Sequence, residues 1–174
     1  MIVYHGSENP NITEFKTDSA SFSLLGTGVY FYKNKMSAKY YGKSIYKVNI
    51  PSAMKIAPLG FKFSEEQAKE VMSKLGIPAE SWESRPYGVI SPLWWATDGW
   101  DFYQTGDRKK VIQVVSDLLI NLGYDGITVN YPKGGEVVVV WKGYEKLKPQ
   151  LMADKTASDD TTLAAELFRI ISRL

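Results

Sequence analysis

The alternation of hydrophobic and polar residues along the chain predicts several short strands. Apolar residues alternate with Lys47 and Asn49 between Tyr46 and Ile50, which is typical of a half-buried strand. The run Val137–Val140 has no polar position and therefore predicts a strand that is buried on both faces. Strands are expected at residues 2–4, 28–32, 46–50 and 137–140.

A short helix is predicted immediately after the second strand. Residues 35–41 fit about two helical turns, and Gly42 follows them as a terminator. The spacing places Met36, Ala38 and Tyr40 on the side that faces the core.

Two longer helices carry clear start and stop signals. Residues 64–67, Ser-Glu-Glu-Gln, form a capping box, and Gly76 occupies the position of a C-terminal glycine. A second helix follows Asp107 and ends at Gly123. Its apolar stripe consists of Val111, Val114, Val115, Leu118 and Leu122. The sequence therefore predicts an α+β domain with two small packed β-sheets flanked by helices.

Composition divides the chain into a domain and a tail. Residues 1–150 hold all the predicted strands, and residues 82–103 are rich in aromatic side chains and are expected to be irregular. This aromatic segment is either a lid or target-recognition surface, or part of the core that packs against the second long helix. Residues 151–174 comprise a polar linker and an amphipathic helix that would dock on a partner, on a second copy or on its own domain.

The absence of cysteine and the presence of a single histidine restrict the chemistry. Disulfides and thiolate metal sites are excluded, and a zinc site would need more His or Cys ligands than the chain has. We therefore expect no metal. No apolar run is long enough to span a bilayer, so no membrane partner is expected. The first ten residues carry no secretory signal pattern. We expect a cytoplasmic protein, and delivery into a host or target cell as an effector or phage protein stays open.

Charge is unevenly distributed although the formal net charge is only +2. Six lysines and no acidic residue lie between Lys33 and Lys55. This run is either a solvated surface or a local positive field for a phosphate-bearing ligand or an acidic partner.

The stretch Gly26-Thr27-Gly28 opens like a dinucleotide-binding fingerprint but does not continue as one. The third glycine would fall at position 31, which is Phe31, and a strand follows where the fingerprint requires a helix N-terminus. A Rossmann site is therefore excluded.

Four motifs occur in a characteristic order along the chain. They are Tyr-His-Gly-Ser at residues 4–7, Gly-Thr-Gly-Val-Tyr-Phe at 26–31, Ser-Ala-Lys-Tyr at 37–40 and Glu-Val-Val-Val-Val at 136–140. In this order they resemble the ADP-ribosyltransferase superfamily of the His-Tyr-Glu type, to which diphtheria toxin and poly(ADP-ribose) polymerases belong. The Gly-Tyr-Asp-Gly-Ile turn at 123–127 is similar to the compact ADP-ribosyltransferase domains of phage and polyvalent bacterial proteins.

The resemblance implies a role for each matched residue. His5 would hold a ribose hydroxyl of NAD⁺, and the backbone of Gly6, followed by Ser7, would contact the nicotinamide carboxamide. Tyr30 and Tyr40 would sandwich the nicotinamide ring. Two further residues complete the implied site, with Ser37 on the carboxamide and Glu136 as the catalytic carboxylate. Four of these assignments have a simpler alternative: a satisfied structural histidine for His5, core packing for the two tyrosines and a charge at a strand edge for Glu136.

The implied activity is NAD⁺-dependent mono-ADP-ribosylation. NAD⁺ is the co-substrate, and the acceptor is a macromolecule, with a protein side chain favoured and nucleic acid left open. The alternatives are an NAD⁺ glycohydrolase, which uses water as the acceptor, and an inactive domain that binds ADP-ribose or a partner or has a structural role.

Overall fold

The computed structural model describes residues 1–17, 22–23, 25–86, 88–131 and 135–152 of the chain. The described residues form an α+β fold built on one seven-stranded sheet and one two-stranded ribbon. The strands are β1 (Ile2–Ser7), β2 (Phe22–Ser23), β3 (Gly26–Thr27), β4 (Val29–Tyr32), β5 (Ser44–Asn49), β6 (Ile56–Ala57), β7 (Gly126–Tyr131), β8 (Gly135–Val140) and β9 (Gln150–Leu151). The helices are α1 (Lys35–Lys39), α2 (Glu65–Leu75), α3 (Pro92–Trp94), α4 (Trp100–Phe102) and α5 (Arg108–Asn121).

The large sheet is mixed, with the strand order β6-β7-β8-β4-β1-β5-β9. Only the β6–β7 pair is parallel among the described strands; all other neighbours are antiparallel. We expected two small packed sheets, but most of the strands belong to one large sheet. Because β4 is hydrogen-bonded to both β8 and β1, the first and last parts of the domain join into one sheet, and only β2 and β3 form a separate ribbon.

The predicted burial of Val137–Val140 on both faces is confirmed. All four valines have no exposed surface. Successive side chains of a strand point to opposite faces, so Val137 and Val139 join the cluster that includes α2 and α5, whereas Val138 and Val140 join a second cluster with Val3, Phe31 and Leu147. The sheet is therefore covered on both sides. We call the first side the helix face and the second the loop face.

The helix signals of the sequence are confirmed for α2 and α5. Ser64 accepts a hydrogen bond from the Gln67 backbone while the Gln67 side chain accepts one from the Ser64 backbone, and Gly76 ends α2 in a left-handed conformation at φ +74. Asp107 caps α5 by accepting a hydrogen bond from the Lys110 backbone.

The expectation of an irregular aromatic segment is wrong for its second half. Residues 92–102 form one continuous helical stretch in which a wide π-helical turn, Trp95–Gly99, joins α3 to α4. Trp95 is fully buried, and its indole donates a hydrogen bond of 2.6 Å to the carbonyl of Val89. Glycine at position 99 permits this packing because a Cβ there would lie 2.6 Å from the Trp94 ring.

Helix α1 forms where predicted, but the prediction of its inward side is wrong for two residues. Ala38 is fully buried as expected, whereas Met36 is 56% exposed and Tyr40 is 83% exposed. The helix is short, and it packs so closely on β1 that a Cβ on Gly6 would lie only 1.9 Å from the Ala38 carbonyl oxygen. Only a small residue fits at that contact, so the larger side chains lie outside it.

The sheet extends slightly beyond residue 150. Leu151 belongs to β9, and the Met152 backbone donates a hydrogen bond of 2.9 Å to the Ile45 carbonyl. The predicted linker and C-terminal helix lie outside the described residues, as does Tyr87 of the aromatic segment. Within the described part of the chain, no helix is long and apolar enough to cross a membrane.

Candidate active site

Three of the sequence motifs lie on three adjacent strands. β1 carries His5, β4 carries Tyr30 and β8 carries Glu136, and β4 is hydrogen-bonded between the other two strands. More than one hundred residues separate the first motif from the last in the sequence. The fold therefore brings together motifs that sequence order alone leaves far apart.

The ladder between β1 and β4 is short. Among the described residues the two strands share one register pair, Tyr4 with Tyr32, whereas β1 pairs with β5 from Ile2 to Ser7. We call the stretch of the two strands beyond that pair, where their described residues share no register pair, the β1–β4 gap. It is flanked by residues 5–7 on β1 and residues 29–30 on β4.

The side chain of His5 connects the two strands at this gap. Its Nδ1 lies 3.0 Å from the carbonyl oxygen of Tyr30, and because a carbonyl can only accept, Nδ1 carries the proton and donates. The ring also makes edge-to-face contacts with Phe15 and Phe31, at centroid distances of 5.2 and 5.9 Å. This hydrogen bond fixes the tautomer, so in the neutral ring Nε2 has a lone pair that can accept a hydroxyl proton.

Burial lowers the pKa of His5 below its ordinary value of 6.5, since the charged form loses its hydration among Phe15 and Phe31. The hydrogen bond to Tyr30 acts in the opposite direction but is the smaller effect. The imidazole is therefore neutral at neutral pH.

This lowered pKa predicts a pH dependence of stability. The unfolded chain takes up the histidine proton at a higher pH than the folded chain does, so the free energy of unfolding should fall as the pH drops below 6.5, by less than about 1.4 kcal/mol per pH unit. Urea unfolding of wild type and His5→Asn, at neutral pH and below 6.5, measures this contribution. The chain has one histidine, so the variant should lose that part of the slope; equal slopes in both proteins would contradict the assignment.

A small cavity of about 220 Å³ opens beside His5. It is lined by His5, Ile12, Glu14, Phe15, Lys16, Gly28, Val29 and Tyr30. At its edge the Lys16 ammonium lies 2.6 Å from the Glu14 carboxylate. Gly28 allows β4 to lie close to β8, because a Cβ there would approach the Val140 carbonyl oxygen to 2.8 Å.

Tyr30 is held in one orientation through its hydroxyl group. The hydroxyl donates to the Gly26 carbonyl and accepts from the Leu25 backbone, both at 3.0 Å. The ring packs with the helix-face cluster, on the same side of the sheet as Tyr32 and Val139. Tyr30 thus also supports the turn that precedes its own strand.

Removal of this hydroxyl should cost stability. In Tyr30→Phe the Leu25 amide and the Gly26 carbonyl lose a partner in a largely buried place, and we expect a loss of about 1–2 kcal/mol in the free energy of unfolding. Tyr40→Phe is the matched control because Tyr40 is exposed, and it should change stability by less than about 0.5 kcal/mol. Equal denaturant midpoints for the two variants would show that the Tyr30 hydroxyl has no structural role.

Gly6 and Ser7 lie against the C-terminal part of α1. Gly6 contacts the Ala38 carbonyl, and a Cβ placed on Gly42 would lie 2.0 Å from the Ser7 backbone carbon. The His-Gly-Ser motif therefore lies at a close backbone contact between β1 and the helix that carries Ser37 and is capped by Tyr40. Side chains larger than glycine cannot be placed there without moving the helix.

In the turn that follows α1, the aromatic ring that stacks on a sheet residue belongs to a different tyrosine. Tyr41 stacks on Tyr32 with a centroid distance of 4.7 Å and an interplanar angle of 20°, whereas Tyr40 is 83% exposed. The sequence motif selected Tyr40 and gave no signal for the stacking of the adjacent Tyr41 on Tyr32. Ser37 lies near the start of β8, since a Cβ on Gly135 would be 4.0 Å from its hydroxyl oxygen.

Glu136 is one-third exposed and forms an ion pair with Lys33. The two residues are also joined through the backbone, because the Lys33 amide donates a hydrogen bond of 3.0 Å to the Glu136 carbonyl. Sequence reasoning grouped Lys33 with the other lysines and missed this partner. The pairing of β4 with β8 is what places the two side by side.

The candidate residues divide between the two faces of the sheet. Tyr30 lies on the helix face, where α1 carries Ser37, and Tyr40 follows α1 as its C-terminal cap with an exposed side chain. His5 contacts the loop-face residues Phe15 and Phe31, and strand alternation places Glu136 on the same face as Val138. Two of the implied nicotinamide contacts, Tyr30 and Ser37, thus share one face, the ribose and catalytic contacts share the other, and the β1–β4 gap lies beside both His5 and Tyr30.

Comparison with known proteins adds little to this geometry. No family model matches the sequence, and no curated protein matches it. Among solved structures, a crystal structure of an anti-CRISPR protein is similar at a TM-score of 0.47, with 14% identical residues, over 87% of this chain and 95% of that chain.

Proposed function

We propose that the protein is an NAD⁺-dependent mono-ADP-ribosyltransferase that acts on a macromolecule, with a protein side chain as the favoured acceptor. The observation that carries the proposal is the hydrogen bond from His5 to the Tyr30 carbonyl across the β1–β4 gap. It joins two of the four motifs directly, and the third strand, which carries Glu136, is the next neighbour. An ADP-ribosyltransferase-like fold is part of the same proposal.

NAD⁺ binding would use both faces of the sheet. The nicotinamide ring would lie on the helix face against Tyr30, whose ring is already fixed, and the exposed Tyr40 would close on it from α1. The attached ribose would lie at the gap, where Nε2 of the neutral His5 accepts a hydroxyl proton. The flat ring then needs little reorganisation of the protein, which lowers the entropic cost of a reactive orientation.

The chemistry requires the bond between the ribose C1′ and the nicotinamide nitrogen to break. The bonding electron pair leaves with nicotinamide, whose ring loses its positive charge, so no general acid is needed. The remaining ribosyl cation resembles the transition state of glycoside hydrolysis. The Glu136 carboxylate would stabilise that developing positive charge, and it would accept the proton of the acceptor nucleophile that attacks C1′.

Lys33 gives the Glu136 carboxylate a defined position before NAD⁺ binds. The ion pair is partly exposed, so it contributes little to stability and can be broken at little cost. The lysine thereby orients the carboxylate. The carboxylate can then leave the lysine and pair with the positive charge that forms on the ribose.

Incubation of the protein with NAD⁺ that carries a labelled adenosine, in the presence of a cell lysate, tests this function. Release of nicotinamide with label on a lysate macromolecule is the expected result, and mass spectrometry then identifies the acceptor residue. Nicotinamide release with only free ADP-ribose would assign the protein as a glycohydrolase. No release would contradict the proposal and would favour the inactive binding domain.

A further inference from the structure

A second cavity lies on the loop face, away from the residues assigned to NAD⁺ cleavage. Its volume is about 550 Å³, within the usual range for small-molecule sites. The loop around Met54 forms one wall, and residues 142–150 form the other. Leu147 at its base belongs to the loop-face cluster and is 3% exposed. None of the sequence motifs lies in this cavity.

The walls of this cavity are held by hydrogen bonds that need no ligand. Two hydrogen bonds join Asp125 to Lys55. The Asp125 amide donates to the Lys55 carbonyl at 2.8 Å, and the Asp125 carboxylate accepts from the Lys55 amide at 2.9 Å. The Asp125 carbonyl accepts from Trp141 at 2.8 Å and from Lys142 at 3.2 Å. The two walls are therefore fixed to each other, and the only carboxylate among the lining residues already has an amide donor.

The rim of the cavity is positively charged. Lys142, Lys146 and Lys148 line it, all three are exposed, and none forms an ion pair with another described residue. The pKa of the Glu14 carboxyl is lowered mainly by Lys16, its ion-pair partner at 2.6 Å, and least by the charge of Lys148. Three ammonium groups against the single Asp125 carboxylate favour an anionic ligand, and lysine is a common phosphate binder.

The floor of the cavity is apolar, and amide side chains lie at its sides. The buried Leu147 and the half-buried Met54 present a surface on which a flat base can pack. Gln150 carries an amide group that matches the donors and acceptors of a base edge, whereas the Asn49 amide oxygen already accepts a hydrogen bond of 3.3 Å from the N-terminal ammonium. The apolar floor, the amide groups at the sides and the lysines at the rim together fit one class of ligand. We propose that this cavity binds a phosphate-bearing nucleotide, with the base on the floor and the phosphates on the lysines.

Binding of ADP to the 174-residue chain, measured by calorimetry, tests the proposal independently of NAD⁺ cleavage. Adenosine and inorganic pyrophosphate are the comparison ligands, since each retains only one half of the proposed contacts. ADP should bind more tightly than either one. Equal affinity for ADP and pyrophosphate would show that the apolar floor does not hold a base, and no ADP binding at millimolar concentration would overturn the proposal.

A charge-matched pair of double variants locates the site. Lys142→Gln/Lys146→Gln should weaken ADP binding by about tenfold or more, because hydrogen bonds to a charged phosphate are lost. Lys43→Gln/Lys110→Gln removes the same charge from exposed positions outside the cavity and should leave the affinity unchanged. If both double variants bound ADP equally weakly, net charge alone would explain the loss of affinity, and a defined site would be contradicted.

Competition with NAD⁺ then distinguishes the source of the nucleotide. Displacement of ADP by NAD⁺ would assign the cavity to the ADP half of the co-substrate. Simultaneous binding of ADP and NAD⁺ would assign it to a separate nucleotide. Nicotinamide release is measured in parallel, so loss of ADP binding and loss of the cleavage reaction are separate outcomes.

Discussion

Glu136→Gln is expected to lower the rate of nicotinamide release by at least about 100-fold while the protein stays folded, because the substitution removes the negative charge that stabilises the ribosyl cation. The substitution keeps the size of the side chain and its place at the start of β8, where Glu136 is one-third exposed. Stability should change by less than about 1 kcal/mol, since a partly exposed ion pair contributes little. Steady-state nicotinamide release and urea unfolding, measured on the same preparations, check both parts.

Lys33→Gln separates the carboxylate from its ion pair. This variant removes the same ion pair but keeps the Glu136 charge, so it should retain far more activity than Glu136→Gln. Glu80→Gln, on the exposed surface of the chain, controls for the loss of one negative charge. Wild-type activity in Glu136→Gln, or equal losses in Glu136→Gln and Lys33→Gln, would contradict the role of this carboxylate.

Gly6→Ala is expected to destabilise the fold by about 3 kcal/mol or more, because the added methyl group meets backbone rather than a movable side chain. Its Cβ would lie 1.9 Å from the Ala38 carbonyl oxygen, so α1 would have to move away from β1. The same movement would displace Ser37 and Tyr40, and activity should fall together with stability. Thermal and urea unfolding measure the first effect, and nicotinamide release measures the second.

Gly60→Ala is the matched control for this prediction. Gly60 has a left-handed backbone at φ +78 and open space around the position of a Cβ, so the substitution should cost only the conformational strain of about 1 kcal/mol. If Gly6→Ala were no more destabilising than Gly60→Ala, the close packing of α1 on β1 would be wrong.

Local signals in the sequence were sufficient for some of the regular elements, among them β8 and α2. Four consecutive valines predicted the doubly buried β8, and the Ser64 capping box with Gly76 predicted both ends of α2. These features depend on neighbours within a few residues, which is why a single sequence contains them.

Features that depend on distant residues could not be predicted in the same way. The orientation of α1 is set by the contact between Gly6 and Ala38, which lie far apart in the sequence, so its helical periodicity gave the wrong side for Met36 and Tyr40. The stacking of Tyr41 on Tyr32 and the pairing of Lys33 with Glu136 follow from the same packing. The adjacency of the motif-bearing strands depends on β4 lying between β1 and β8, which no local pattern specifies.

The most direct test of the account is the response of the His5 ring to NAD⁺. The chain has one histidine, so a long-range ¹H–¹⁵N spectrum contains one pair of imidazole nitrogens. With Glu136→Gln protein, which should leave NAD⁺ intact, saturating NAD⁺ is predicted to shift the Nε2 resonance while Nδ1 stays protonated and bound to the Tyr30 carbonyl. Unchanged Nε2 and Nδ1 resonances at saturating NAD⁺ would contradict a nicotinamide-ribose site at the β1–β4 gap.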